Sequence, residues 1–394
     1  MSNARPESRA ARVFVLVALI LLALNLRAAV GSVGVVLAAV RADLGMSATV
    51  GGVVTTLPVL CFAVFGSTAG GVVRGIGLHR TAALSLLVIA TGLVLRVMTS
   101  SPTLFNLASG FALAGAATGN VILPALVKRH FPSHVPTVSA FYTAAILTGA
   151  TLSSAVTVPL SDVTGGWRGG LLAWGVVAGI TLLPWLFLLR HDVRVATTDP
   201  SAVTLRQTMR SRLAWAMALF FALQSAQAYT QFGWLPEIYT AAGLTPGTAA
   251  LMQTIVSGVG IPTTLALPAI MRRVGARPVL PWIFGITTAA GWVGVLLFAT
   301  TAPWLWALLL GLGGASFSWV MTMLGQRSRT PGGTAALSSF VQGVGYLMAA
   351  IGPFGAGLLQ DVTGSWAVPV TVLAVLALPL IPVGRYINRP QLFD

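Results

Sequence analysis

Two arginines stand inside apolar stretches where an ion is costly: Arg27 and Arg96. Arg27 sits about fifteen residues into an apolar run of 13–37, near the middle of what would be a bilayer. A charge at that depth costs at least about 2.5–3.5 kcal/mol on insertion scales. No carboxylate falls inside any apolar run to offset it. The eight acids are Glu7, Asp192, Asp199 and Asp394 on one side of the expected membrane, with Asp43, Asp162, Glu237 and Asp361 on the other. A permanent cation without a fixed partner suits a small anion, because the planar guanidinium offers paired donors to oxygen or nitrogen acceptors. The opposing reading is an arginine satisfied by helix carbonyls or water. Arg96 lies near the end of its run, so it is expected to snorkel to the headgroups. A second anion contact in an outer vestibule is the alternative for Arg96.

Neutral polar groups in the apolar runs supply the other candidates: Asn25, Asn120, Tyr142, Thr143, Gln224, Gln227, Tyr229, Gln231, Gln253, Trp319, Gln342 and Tyr346. Twelve cannot all meet one small ligand, and many must bridge helices at roughly 0.6 kcal/mol each. With Arg27, the set favoured for substrate binding is Asn25, Asn120, Tyr142, Gln227, Gln342 and Tyr346. Trp234 and Glu237 fall at the outer end of their run, where interface anchoring is the expected role of the tryptophan. Other chemistry has little support. No Gly-rich stretch ends in Gly-Lys-Ser/Thr after a soluble strand, so a phosphate-cradling loop and ATP hydrolysis are not expected. His130 and His134 are four apart, but Pro132 and Pro136 disfavour the helix that would align them on a metal. The lone Cys61 lies in an apolar run and reads as inert packing. No catalytic residue, metal or cofactor is expected.

The elements that must position Arg27 follow from composition. Of 394 residues, 56% are hydrophobic and 8% charged, against roughly 25% charged in a soluble protein. Too few ions remain to cover a water-facing surface, which excludes a soluble enzyme. About 20 apolar residues cross a bilayer as a helix. Twelve runs qualify: 13–37, 48–73, 82–100, 103–127, 137–159, 169–189, 213–236, 248–271, 278–299, 303–324, 334–358 and 367–386. The first, preceded by Arg5, Arg9 and Arg12, is too long for a signal peptide's apolar core and reads as an uncleaved first helix. Sorting the connections alternately puts nineteen of the 23 basic residues on one side and only Arg41 and Arg168 on the other. That asymmetry places both termini in the cytoplasm. It also explains a net charge of +15 without nucleic acid. The basic gap after the sixth run divides the chain into an N-terminal bundle 1–190, a cytoplasmic linker 191–211 and a C-terminal bundle 212–394.

The halves echo each other at an offset of 198–199 residues. Asp162-Val163-Thr164-Gly165-Gly166-Trp167 returns as Asp361-Val362-Thr363-Gly364-Ser365-Trp366; Arg74-Gly75-Ile76-Gly77 returns as Arg272-Arg273-Val274-Gly275; Gly45-Met46-Ser47 returns as Gly243-Leu244-Thr245. Equivalent segments lie on the same side, so the repeats are parallel, and a ligand site is expected between them near the midplane.

Six plus six helices in parallel halves with a basic central gap resemble the major facilitator superfamily. Its signature expects an Asp in the turns after the second and eighth spans, where this chain has Arg74 and Arg272; the cytoplasmic latch of that motif is altered or absent. Within the superfamily the chain resembles the cyanate/2-nitroimidazole transporter family. The resemblance rests on Asn25-Leu26-Arg27 with Ser32-Val33-Gly34, Leu95-Arg96, Val127-Lys128-Arg129-His130-Phe131, Gly233-Trp234-Leu235-Pro236 and Val341-Gln342-Gly343-Val344-Gly345. Ala28 stands where that family often has proline. The resemblance implies a small-molecule substrate, anionic like cyanate or a nitroheterocycle, moved across the cytoplasmic membrane by alternating access of a monomer. Two rivals are an efflux transporter for neutral or hydrophobic compounds and a non-transporting receptor with the same fold. The altered signature and the missing buried acid count against proton-driven export. A receptor would need a soluble output domain, and no segment is long enough for one.

Overall fold

The computed structural model describes residues 9–189, 205–275 and 277–393, and among them the regular structure is entirely α-helical. The first half runs through α1 (Arg9–Gly34) and its short continuation α2 (Leu37–Leu44), then α3 (Ala48–Ile76), α4 (Leu78–Met98), α5 (Pro102–His130), α6 (Val135–Val163) and α7 (Trp167–Leu188). The expected linker lies outside the described residues up to 204, after which a short α8 (Leu205–Arg210) leads into α9 (Arg212–Ala241). The second half continues with α10 (Pro246–Val274) and α11 (Val279–Phe298). Its last three spans are each broken once: α12 and α13 (Pro303–Gly313, Ser316–Gln326), α14 and α15 (Pro331–Ala349, Ile351–Thr363), α16 and α17 (Ala367–Ala377, Leu380–Asn388).

Eleven of the spans are long and apolar enough to cross a membrane on length and composition. The remaining one, α9, has the length, but Gln224, Gln227 and Gln231 dilute its apolar character. All three are buried, so α9 turns them toward protein and not toward lipid. The outward faces carry the reverse pattern: Leu107, Phe187, Leu297, Trp304 and Ile351 are exposed. Large apolar side chains on the outside and amides within are the arrangement a hydrocarbon solvent selects.

The internal repeat has a backbone basis. Gly45 and Gly243, Gly77 and Gly275, and Gly165 and Gly364 all adopt positive φ, a conformation that costs other L-residues but not glycine. Each pair closes the same helix end in the two halves. Beyond the first pair, Ser47 and Thr245 cap α3 and α10 by accepting from the backbone N–H of Val50 (3.2 Å) and Thr248 (3.2 Å). The repeated letters therefore record repeated turns. The halves meet where α3 lies against α14 and α15, where α6 lies against α10, and where α1 meets α9. The molecule is an all-α membrane protein of twelve transmembrane helices in two parallel six-helix repeats.

Past α13, Arg327 closes the C-terminal segment onto the bundle. Its Nε donates to the Ile387 carbonyl and its Nη2 to the Asn388 carbonyl, both at 2.9 Å. Partial burial there pulls the guanidinium somewhat below its ordinary value.

Within the first half, α1 and α6 approach so closely at Gly149 that an added Cβ would collide with the Leu24 carbonyl. Backbone cannot yield as a flexible side chain can. Gly149→Val is expected to destabilise the protein by about 1–3 kcal/mol, in the range of an overpacked core. The check is a lower melting temperature of the detergent-solubilised protein.

Candidate functional site

Arg27 leaves α1 toward the other half. Its Nη1 donates to the Tyr229 hydroxyl of α9 at 2.6 Å, and its guanidinium lies 5.3 Å from the Phe62 ring of α3 and 5.5 Å from the Tyr229 ring. Tyr346 of α14 completes the cluster. It stacks on Phe62 at 5.5 Å, meets Tyr229 edge-on at 6.2 Å, and its hydroxyl interacts with both Arg27 and Tyr229. Three spans thus surround the cation of a fourth with three aromatic rings, two from the second half and one from the first. A hydrogen bond to a charged group contributes about 1.5–3 kcal/mol and a partly desolvated cation–π contact about 0.5–2 kcal/mol. These contacts offset the cost of holding Arg27 in the membrane. They do not cancel its charge, because every partner is neutral. A guanidinium has five N–H donors; the two tyrosines leave most of them for a ligand.

The described carboxylates are committed elsewhere. Glu237 pairs with Arg41. Asp43 pairs with Arg168 at 2.6 Å. Asp361 accepts from the backbone N–H of Ala48 (2.8 Å) and Thr49 (2.6 Å). Asp162 is exposed at the end of α6. None faces Arg27.

The other expected residues are scattered. Asn25 turns the opposite way from Arg27 and ties α1 to α7, donating to the Leu21 carbonyl (2.8 Å) and to Thr181 Oγ1 (3.0 Å). Gln227 is held inside the second half: its Nε2 donates to the Leu373 carbonyl (2.8 Å) and its Oε1 accepts from Trp292 Nε1 (2.6 Å). Gln342 donates to Ser338 Oγ, one turn back on its own helix (2.8 Å). Tyr142 interacts locally with Ser139 and Thr143, and Asn120 is half-buried on α5. Of the favoured set, the structure brings Tyr346 alone to Arg27. Tyr229 was legible as a candidate by type. Phe62 carried no signal, since an apolar ring in an apolar run looks like packing. Trp319 instead borders a separate cavity of about 400 Å³ within the second half, beside Arg272, Arg277 and Arg327.

Two expectations are corrected. Arg96 does not snorkel: it is 1% exposed and points inward to α1, donating to Ser32 Oγ (3.2 Å) and more distantly to the Ala29 carbonyl (3.4 Å). Its side chain reaches a hydroxyl and a helix carbonyl on α1, which turns it away from the bilayer surface. Trp234 does not anchor at the lipid interface. It is fully buried and donates to the Pro353 carbonyl at 2.8 Å, with Arg41 over its ring at 5.6 Å. His130 pairs with His79, Nε2 to Nε2 at 2.9 Å, a partner that the spacing to His134 did not suggest.

Arg41, Trp234 and Asp361 belong to a latch that holds the two halves together at the face opposite the termini. The Arg41–Glu237 pair joins α2 to α9, and Asp361 of α15 caps the start of α3. Just below, Gly34 lets α1 touch the Phe232 carbonyl of α9, where any Cβ would collide. The side chains of Arg41 and Glu237 are 16% and 12% exposed, so each neutralises a largely desolvated ion. Removing one partner of such a pair costs about 3–5 kcal/mol. Arg168 and Asp43, at 41% and 46% exposed, sit within one half and are worth about 0–1 kcal/mol.

Twelve spans in two parallel repeats, with polar groups converging between the halves, define the architecture of a membrane transporter. A profile of the Major Facilitator Superfamily matches residues 15–353, and the chain belongs to that superfamily. It is similar to the uncharacterized transporter YycB of Bacillus subtilis, with 33% identity over 95% of this chain and 93% of that one. It is similar to the 2-nitroimidazole transporter of Escherichia coli, with 32% identity over 96% of each. It is also similar to the cyanate transport protein CynX of Escherichia coli, with 27% identity over 96% of this chain and 99% of that one. Among solved structures, a bacterial homologue of the human lysosomal transporter Spinster, inward-facing and unoccupied, superposes with a TM-score of 0.79. Its identity is 15%, over 97% of this chain and 98% of that one. The nucleoside transporter NupG superposes with a TM-score of 0.76 and 11% identity, over 96% and 99%. These two share the fold.

The latch sets a measurable expectation. With Thr55→Cys as a reporter beneath it, in a Cys61→Ser background, Arg41→Ala should raise the rate of labelling by a small membrane-impermeant thiol reagent several-fold. Removing Glu237 as well, as Gln, should cost little more than the single change. An unchanged labelling rate in both variants would show that the pair does not hold this face closed.

Proposed function

We propose that this chain is a secondary transporter that moves a small anion across the cytoplasmic membrane by alternating access, with Arg27 as the charge that meets the anion. The observation that carries the reading is the environment of Arg27: a membrane-embedded cation between the halves, held by neutral tyrosines, with no described carboxylate facing it. A monovalent anion would supply the missing charge and accept the guanidinium donors left over. The names of the relatives support the same class, since one is a cyanate transport protein. Another, matching over 22% of this chain, is a putative anionic 4-hydroxy-benzoate permease of Thauera aromatica. The basic residues sorted to one side support cytoplasmic termini. That no carboxylate among the described residues faces Arg27 speaks for uniport or exchange over a carboxylate-borne proton.

One observation favours a second reading. Phe62, Tyr229 and Tyr346 form a box of rings, and a flat heterocycle would stack there. The name of the 2-nitroimidazole transporter fits that reading, in which Arg27 would hold a nitro group.

Uptake into proteoliposomes separates the two. For cyanate, Arg27→Ala should abolish transport, Arg27→Lys should leave a reduced rate, and Tyr229→Phe should lower the rate about ten- to a hundredfold, as expected for loss of one hydrogen bond to a charged group. For 2-nitroimidazole, Phe62→Ala should be the more damaging change. Transport of an anion at the wild-type rate by Arg27→Ala would overturn the reading and leave Arg27 a structural group.

A further inference from the structure

Arg96 is a second membrane-embedded cation, and it has no role in the Arg27 cluster. Its two hydrogen bonds are long, 3.2 and 3.4 Å, and both go to neutral oxygens. Its Nε–H, although buried, has no partner among the described residues. Across from it, the Ser109 hydroxyl of α5 is also buried and also without a partner. Buried donors are nearly always satisfied, and the two residues that carry these line one space. Arg96 and Ser109 both line a partly open cavity of about 20 Å³, together with Val33 of α1, Thr55 of α3 and Tyr229 and Phe232 of α9. A water needs at least about 10–15 Å³ measured in this way. The cavity therefore has room for about one water or one ion of similar size, and is too small for a substrate of several heavy atoms. A water could answer the donors. It could not answer the charge, and the described carboxylates are already engaged or, in the case of Asp162, exposed.

We infer that this cavity is a second anion site, built for a single monatomic anion of the size of chloride and held by Arg96 Nε and Ser109 Oγ. It goes beyond the reading of Arg27 and does not rest on it. The two places are nonetheless linked, because Tyr229 both lines this cavity and accepts the Arg27 hydrogen bond. An anion at Arg96 and another at Arg27 would repel across one tyrosine. Filling the first then favours emptying the second, which is how closely spaced sites let a bound ion leave.

The test compares the thermal stability of the purified protein in chloride and in gluconate, together with bromide anomalous diffraction. Chloride is expected to raise the melting temperature saturably in the wild type and in Arg27→Gln. The shift should vanish in Arg96→Gln and in Ser109→Val, which removes one donor and fills part of the space. Crystals grown in bromide should show an anomalous peak between Arg96 and Ser109. If Arg96→Gln does not fold, Ser109→Val and the bromide peak decide the matter. No chloride effect and no peak would mean that the cavity holds water, and the inference falls. A chloride shift lost in Arg27→Gln but kept in Ser109→Val would place the ion at Arg27. That result would overturn the second site and leave the first reading standing.

Discussion

A cation in the middle of a membrane has to be met, and in this protein it is met across the divide between the halves. Arg27 belongs to one repeat and its hydroxyl partners to the other. The bond is short and charge-assisted, so it adds a cohesive contact at the same place where the two bundles must part for anything to pass. A carboxylate from the second half would have made a stronger clamp and a neutral site. On the reading proposed for Arg27, tyrosines make a clamp that a competing anion can displace, because a full negative charge binds the guanidinium more strongly than a phenol does. The rest of the architecture serves that arrangement: helices that keep amides inward, glycine turns that repeat the same bundle twice, and a latch at one face that keeps the bundles joined.

The two levels of the barrier differ in kind. At the face opposite the termini, the contacts are ionic and backbone-directed, with Arg41, Glu237 and the Asp361 cap arranged over a glycine contact. At the centre they are aromatic. Ionic contacts are strong when dry and weaken sharply when water enters, since the effective dielectric rises many-fold. An all-or-none opening is the natural behaviour of such a latch. The aromatic cluster changes more gradually, as rings can slide while staying in contact.

Much of the scaffold is legible in the chain, because its spans and its repeat are one-dimensional patterns. Apolar runs count residues along the membrane normal, and basic loops alternate with them. The site was less legible because it depends on rotation about each helix axis. Residues two apart on a helix point about 200° apart. Asn25 and Arg27 differ by two, and one faces Thr181 while the other faces Tyr229. Gln227 and Tyr229 differ by two, and the amide is locked to Trp292 while the phenol reaches Arg27. Favouring Asn25 along with Arg27, or Gln227 in place of Tyr229, takes no account of that turn. Arg96 shows the same limit in depth: its position near a helix end suggested lipid, but its side chain rotates toward α1. Phe62 had no polar atom to mark it, so only its placement over a guanidinium reveals it.

An unneutralised arginine also makes the carrier electrical. On the reading proposed for Arg27, the protein with a monovalent anion bound moves no net charge there as the halves rock, whereas the empty protein moves one positive charge through whatever part of the membrane field the centre traverses. A full elementary charge crossing the field is worth about 2.3 kcal/mol per 100 mV. The resting potential of a cell, negative inside, would then draw the unloaded site inward and hold it there until an anion arrives to release it. The direction of net transport would be written into the voltage dependence of the empty carrier.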